Sequence, residues 1–145
     1  MERKHINNLV NLAAIVATLG PEQFDIGKVN ECNSVGCCLG WASCHPHFNR
    51  QGLDFVENEN SAYSSIIWKG TTISCGVGWL WSGHDVVREA VDTLFGINDS
   101  NDPLYKAFIH GKKYWKNYVF DSPETAAKSI LRYVYELTGE EYELL

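Results

Sequence analysis

The sequence predicts an α+β fold: one compact domain over 1–145, with about five helices packed around a small antiparallel β-hairpin or three-stranded sheet. Three observations predict it. Several segments repeat apolar residues at helical spacing, one central stretch alternates β-branched and aromatic residues with small or polar ones, and all four prolines stand at element boundaries.

Ile6, Leu9, Val10, Ala13 and Val16 mark the first helix, widened by Leu12, Ile15 and Leu19 and stopped by Gly20-Pro21. Ser34 is placed to cap a short second helix through Gly36, Cys37, Leu39, Trp41 and Ala42, ended by Pro46. Tyr63 to Trp68 and Thr71 to Trp81 read as strands around a Lys69-Gly70 turn, which sets Trp68 opposite Thr71 and Ile66 opposite Ile73. Leu53 to Glu57 is a third strand. Val86, Val87, Ala90, Val91, Leu94 and Phe95 form a third helical stripe, with Ser82 or Asp85 near its start and Gly96 as its C-cap. Asp102-Pro103 opens a short helix with Leu104, Ala107 and Phe108. Ser122-Pro123-Glu124 opens the last, whose stripe of Ala126, Ala127, Ile130, Leu131, Val134 and Leu137 ends at Gly139.

Composition narrows function. With 45% hydrophobic, 12% aromatic and 21% charged residues the chain can build a core, and a net charge of -6 argues against a protein whose main task is coating nucleic acid. No apolar run is long enough to span a membrane, so no membrane partner is expected. Five cysteines without a recognisable secretory signal point to a reducing compartment.

Charge is uneven. Residues 51–100 carry two basic and seven acidic side chains, so Glu57, Glu59, Asp85, Glu89 and Asp92 are candidates for an acidic partner-binding face. Trp79, Trp81 and Trp115 are the candidate aromatic anchors, since such residues dominate interface energetics. The one basic patch, 110–118, interleaves Lys112, Lys113 and Lys116 with aromatic rings and suits phosphates and stacked bases; a solvated loop anchored by its aromatics is the plainer reading.

Cys32, Cys37, Cys44 and His45 are ligand types that zinc prefers, but six candidate ligands crowd one turn and a short helix instead of forming separated pairs. Buried structural thiols are the favoured reading, with Cys37, Trp41 and Cys44 sharing a helical face; zinc is the lesser alternative, and no other cofactor is expected. Cys37 or Cys38 as a nucleophile would need His45, His47 or His84 as base, and nothing in the spacing places one there. His84-Asp85 is explained by helix capping.

Cys32-x4-Cys37-x2-Gly40-Trp41-Ala42, with Phe24-Asp25-Ile26 before it and Gly52-Leu53, Leu94-Phe95-Gly96-Ile97 and Thr125-Ala126-Ala127-x2-Ile130-Leu131 after it, resembles small uncharacterised bacteriophage and prophage accessory proteins. Those relatives often read Cys-Gly-Thr where this chain has Cys32-Asn33-Ser34. The resemblance implies a phage-type protein of the bacterial host cytoplasm, most often an inhibitor of host machinery such as the anti-CRISPR and other counter-defence proteins. The expected function is non-enzymatic binding of a host protein or protein–nucleic-acid complex, and a homodimer is compatible with it. The alternatives are a nucleic-acid or nucleotide-binding regulator using the 110–118 strip, and a thiol- or zinc-dependent enzyme.

Overall fold

The computed structural model describes residues 2–20, 22, 41–57, 64–73, 84–108 and 113–142. Helix α1, Arg3–Ala17, buries Ile6, Leu9, Leu12, Ala13 and Val16 on one side. Its N-terminus is closed locally, because Glu2 N–H donates to His5 Nδ1 at 3.1 Å. The helix stops three residues short of Gly20: Thr18 turns its hydroxyl back onto the Ile15 carbonyl at 2.7 Å, and its N–H takes the same oxygen at 3.1 Å.

The predicted second helix falls mostly outside the described residues; its end is seen at 41–42, followed by a turn. Pro46 begins a helix there as well, the short α2, Pro46–Asn49. Proline at a first helical position sacrifices only an N–H that has no intrahelical acceptor.

Strands β1 (Leu53–Glu57), β2 (Ser64–Trp68) and β3 (Thr71–Ile73) form an antiparallel sheet in the order β1-β2-β3. The register is the one the turn dictates, Trp68 opposite Thr71 and Ile66 opposite Ile73. Lys69 and Gly70 both take positive φ, 46° and 84°, as a two-residue hairpin turn requires. Lys69 is held in this costly conformation by its surroundings. Its N–H donates to Gly52 O at 2.8 Å, and its ammonium lies 5.1 Å above the buried Trp68 ring. Gly52 is required at this contact, since a Cβ there would stand 2.9 Å from Lys69 Cγ.

Helix α3, His84–Phe95, ends at Gly96 in the left-handed region, φ 69°. Asp85 is the second residue of α3 and so is not its N-cap. Helix α4, Pro103–Phe108, is capped as the sequence suggests, with Asp102 Oδ1 accepting from Leu104 N–H at 2.8 Å. Helix α5, Pro123–Thr138, starts at Ser122, whose hydroxyl accepts from Thr125 N–H, and ends at Gly139 with φ 72°. The most extensive helix packing is α1 on α5, with α3 also against α1.

A row of rings, Phe48, Phe95, Phe108 and Phe120, runs through the interior with successive centroids 6.0, 5.7 and 6.2 Å apart. It ties α2, α3 and α4 to the chain just before α5. Helices and a small antiparallel sheet on one core make this an α+β fold.

A second element, after α2, departs from the sequence reading. The stretch expected as a basic loop holds a second hairpin, β4 (Tyr114–Trp115) and β5 (Tyr118–Val119), with Lys116 at positive φ, 54°, in its two-residue turn. Two-residue strands are too short to show an alternating pattern, and what holds them is tertiary. Tyr118 packs on Tyr133 of α5, and Arg132 lies 5.4 Å over the Tyr118 ring while donating to Asn117 O at 3.2 Å. Among the described residues no helix is long and apolar enough to cross a membrane.

Candidate functional site

Helix α3 turns Ala90, Val91, Leu94 and Phe95 into the core, which leaves Arg88, Glu89 and Asp92 in solvent. Gly96 then reverses the chain, so that Ile97 folds back into the core at 1% exposure. The loop that follows leads into α4, whose Tyr105 is 6% exposed. Between these three pieces lies a cleft of about 410 Å³ lined by Arg88, Glu89, Asp92, Ile97, Asn98 and Tyr105. Its lining joins apolar Ile97 and aromatic Tyr105 to the Arg88 guanidinium and to two carboxylates, Glu89 and Asp92, about one helical turn apart. Asn98 Nδ2 approaches Asp92 Oδ1 at 3.4 Å. With two carboxylates to one guanidinium the cleft carries a net negative charge, which suits a cationic group meeting Glu89 and Asp92.

Of the predicted acidic residues the structure thus brings Glu89 and Asp92 together. Glu57 is the last residue of β1 and Asp85 lies in the first turn of α3, while Glu59 falls outside the described residues. Trp79 and Trp81 fall outside them too. The sequence reading missed Ile97, Asn98 and Tyr105. The signal for Ile97 was present, an apolar residue directly after a helix-ending glycine.

Trp115 was expected as an exposed anchor and is half-buried, with the Lys106 ammonium 4.9 Å from its ring centroid. Lys113 and Lys116 are exposed on the same hairpin; Lys112 lies outside the described residues. Tyr118 donates to Glu136, and Tyr133 donates to Asp102 Oδ2 at 2.5 Å. Burial first, and then these hydrogen bonds, push both phenols far up, so they act as fixed donors that tie the hairpin and α4 to α5.

The cysteine segment changes character. Cys44, expected inside on a shared helical face, is exposed, because the helix ends at 41–42 and the turn to Pro46 carries the thiol outward. His45 beside it is exposed, while Cys32 and Cys37 lie outside the described residues. Among the described residues no three His, Cys, Asp or Glu side chains gather as a metal ion would need.

His47 has a structural task. Asn8, 2% exposed on α1, gives its Nδ2 to Leu94 O at 2.7 Å and to Gln51 Oε1 at 2.8 Å. Its Oδ1 therefore faces Gln51 Nε2 at 2.9 Å and His47 Nε2 at 2.8 Å, so His47 carries a hydrogen on Nε2. Burial, with a smaller contribution from the Arg50 guanidinium, holds its pKa below the ordinary 6.5. The unfolded chain therefore binds this proton more readily than the native one. The neutral ring's contribution is fully present above pH 6.5 and is lost as pH falls through that value toward the lower native pKa. Urea midpoints measured from pH 7.5 down to 5 should fall in the wild type and change less in His47→Gln; equal slopes would remove His47 as the cause.

Comparison with protein-family models, with characterised proteins and with solved structures finds no match to this chain.

Proposed function

We propose that the chain is a phage-type accessory protein of the bacterial host cytoplasm, a non-enzymatic binder that inhibits a host protein or protein–nucleic-acid complex through the acidic surface of α3. The cleft carries this reading: Glu89 and Asp92 stand exposed in a cleft with Arg88, Ile97 and Tyr105, where two carboxylates outweigh one cation and so complement a lysine or arginine of a partner. Charge on such a surface steers association and rejects acidic competitors.

The nucleic-acid alternative has one observation in its favour, the exposed Lys113 and Lys116 beside Tyr114 and Trp115. Against it, Lys106 already occupies one face of Trp115, which leaves at most the other for a base to stack on. Nearby cations are also compensated, Arg132 by Glu136 at 3.1 Å and Lys128 by Glu124 at 2.9 Å.

The test is capture of host protein by the tagged chain and by the double variant Glu89→Lys/Asp92→Lys. A partner identified with the wild type should bind the double variant at least about tenfold more weakly, because two like charges now face its basic surface. Equal capture by both, or substrate turnover by the purified chain, would overturn the proposal. A steep fall of nucleic-acid affinity with salt that flattens in Lys113→Ala/Lys116→Ala would establish the alternative instead.

A further inference from the structure

We infer that the outer edge of β4 docks an extended acidic polypeptide segment, which adds to the β4–β5 hairpin as a third strand at Tyr114.

The backbone geometry comes first. Phe120 N–H donates to Lys113 O at 2.7 Å, and Trp115 stands opposite Tyr118 across the two-residue turn. These are the hydrogen-bonded rungs of the hairpin, so Tyr114 and Val119 between them form a non-hydrogen-bonded pair. In such a pair the N–H and C=O of each residue point away from the other strand. Val119 shows it directly, since Ser129 Oγ accepts from Val119 N–H at 3.0 Å and donates to Val119 O at 2.9 Å. A single hydroxyl from α5 closes the β5 side.

Helix α4 packs against β4, but among the described residues no hydroxyl plays the part of Ser129 on the β4 side. Tyr114 is 63% exposed, and its phenol is engaged with Asp121 at 3.1 Å. Among the described residues nothing bonds the outward N–H and C=O of Tyr114. A donor and an acceptor on an exposed edge are what an added strand uses.

Charge selects the occupant. Lys113 and Lys116 are exposed on either side of Tyr114, and Lys106 lies over Trp115 behind it. Asp121 is an acidic group on this surface: it accepts from the Tyr114 phenol and from Thr125 Oγ1 at 2.8 Å and lies within the field of Lys113, which leaves Lys116 and Lys106 as the cations it does not address. Lysines on an edge oppose pairing with the same edge of a second copy, and they favour a strand that brings carboxylates. The edge is a different surface from the acidic cleft, and it stands or falls separately. The two meet only at α4, where Tyr105 lines the cleft and the next residue, Lys106, covers Trp115.

The experiment is an anisotropy titration of the full chain, at low salt, with a fluorescein-labelled peptide of alternating Glu and Val. The comparison probes are the same peptide N-methylated on alternate amides, a Lys/Val peptide and oligo(dT). The Glu/Val peptide should bind, and N-methylation of the pairing amides should weaken it about tenfold, the effect of losing hydrogen bonds at one rung. Tyr114→Pro removes the outward donor at a position where an edge strand tolerates proline, and should weaken binding by a similar factor; Tyr114→Thr keeps the backbone and should change it less than about threefold. Lys116→Asn keeps a residue suited to positive φ while removing the charge, and should weaken binding several-fold. The N-methylated peptide keeps the test decisive even if Tyr114→Pro fails to fold. Equal binding of the N-methylated peptide would reduce the effect to charge alone and overturn strand addition. Tighter binding of oligo(dT) with the same lysine dependence, or self-association of the chain abolished by Tyr114→Pro, would assign the edge to nucleic acid or to a second copy and overturn the acidic-segment proposal.

Discussion

Gly96→Ala lowers the stability of the chain by about 2–4 kcal/mol, the sum of a left-handed backbone penalty and an overpacked contact. Gly96 has φ 69°, and a Cβ built on it would stand 2.8 Å from Nδ1 and 3.1 Å from Cγ of His5. His5 cannot yield freely, because its Nδ1 accepts the Glu2 N–H that closes the start of α1. The glycine therefore sets both the end of α3 and the approach of α1 to it. The double variant His5→Ala/Gly96→Ala relieves the contact and keeps the backbone strain, so it should recover part of the loss relative to His5→Ala alone. Urea unfolding measures all three. A cost below about 0.5 kcal/mol for Gly96→Ala, the range of an ordinary surface change, would refute the packing argument. Because Gly96 also aims Ile97 at the cleft, partner capture should weaken along with stability.

Asn8→Ala costs about 2–3 kcal/mol, because it strands the buried Leu94 carbonyl and removes a partner from half-buried Gln51 and His47 at once. The amide joins α1 to Leu94 O of α3, to His47 of α2 and to Gln51, with all four distances between 2.7 and 2.9 Å. Asn8→Leu fills the volume and still strands those groups, so it should be nearly as damaging. Recovery of most of the stability by Asn8→Leu would show that the loss was cavity formation. Amide exchange near Leu94 should rise in both variants more than at the far end of α5, since it is the α1–α3 junction that opens.

Local signals were enough wherever a few neighbouring residues decide the backbone. Lys69-Gly70 dictated a two-residue turn, and the turn set the register of β2 on β3, because hairpin pairing follows from loop length. Asp102-Pro103, Ser122-Pro123 and Gly139 marked the ends of α4 and α5 through the same short-range chemistry, an oxygen on a free N–H or a glycine at positive φ. The apolar stripe of α3 contains neither Glu89 nor Asp92, and both are exposed.

Other features depended on contacts between distant residues. The β4–β5 hairpin has strands of two residues, and it exists because Tyr118 packs on Tyr133 and Ser129 takes both polar groups of Val119. Ser129 reads in sequence only as a polar interruption of an apolar stripe. Cys44 looked like a core thiol while its helix was extended to Pro46, and the earlier end of that helix put it outside. Trp115 looked like an open anchor until Lys106, nine positions earlier, was found over its ring.

The α+β class, the turn and caps that delimit its elements, and the acidic bias of the middle third can be read from the chain alone, because each depends on backbone preference, periodicity or charge within a few residues. It takes the packed fold to bring Glu89 and Asp92 into one cleft with Ile97 and Tyr105, and to close one hairpin edge with Ser129 while the other presents Tyr114. A cleft and a sheet edge are relations between elements, set by how buried faces fit and which buried polar groups find partners across the fold, and no local stretch of chain carries that information.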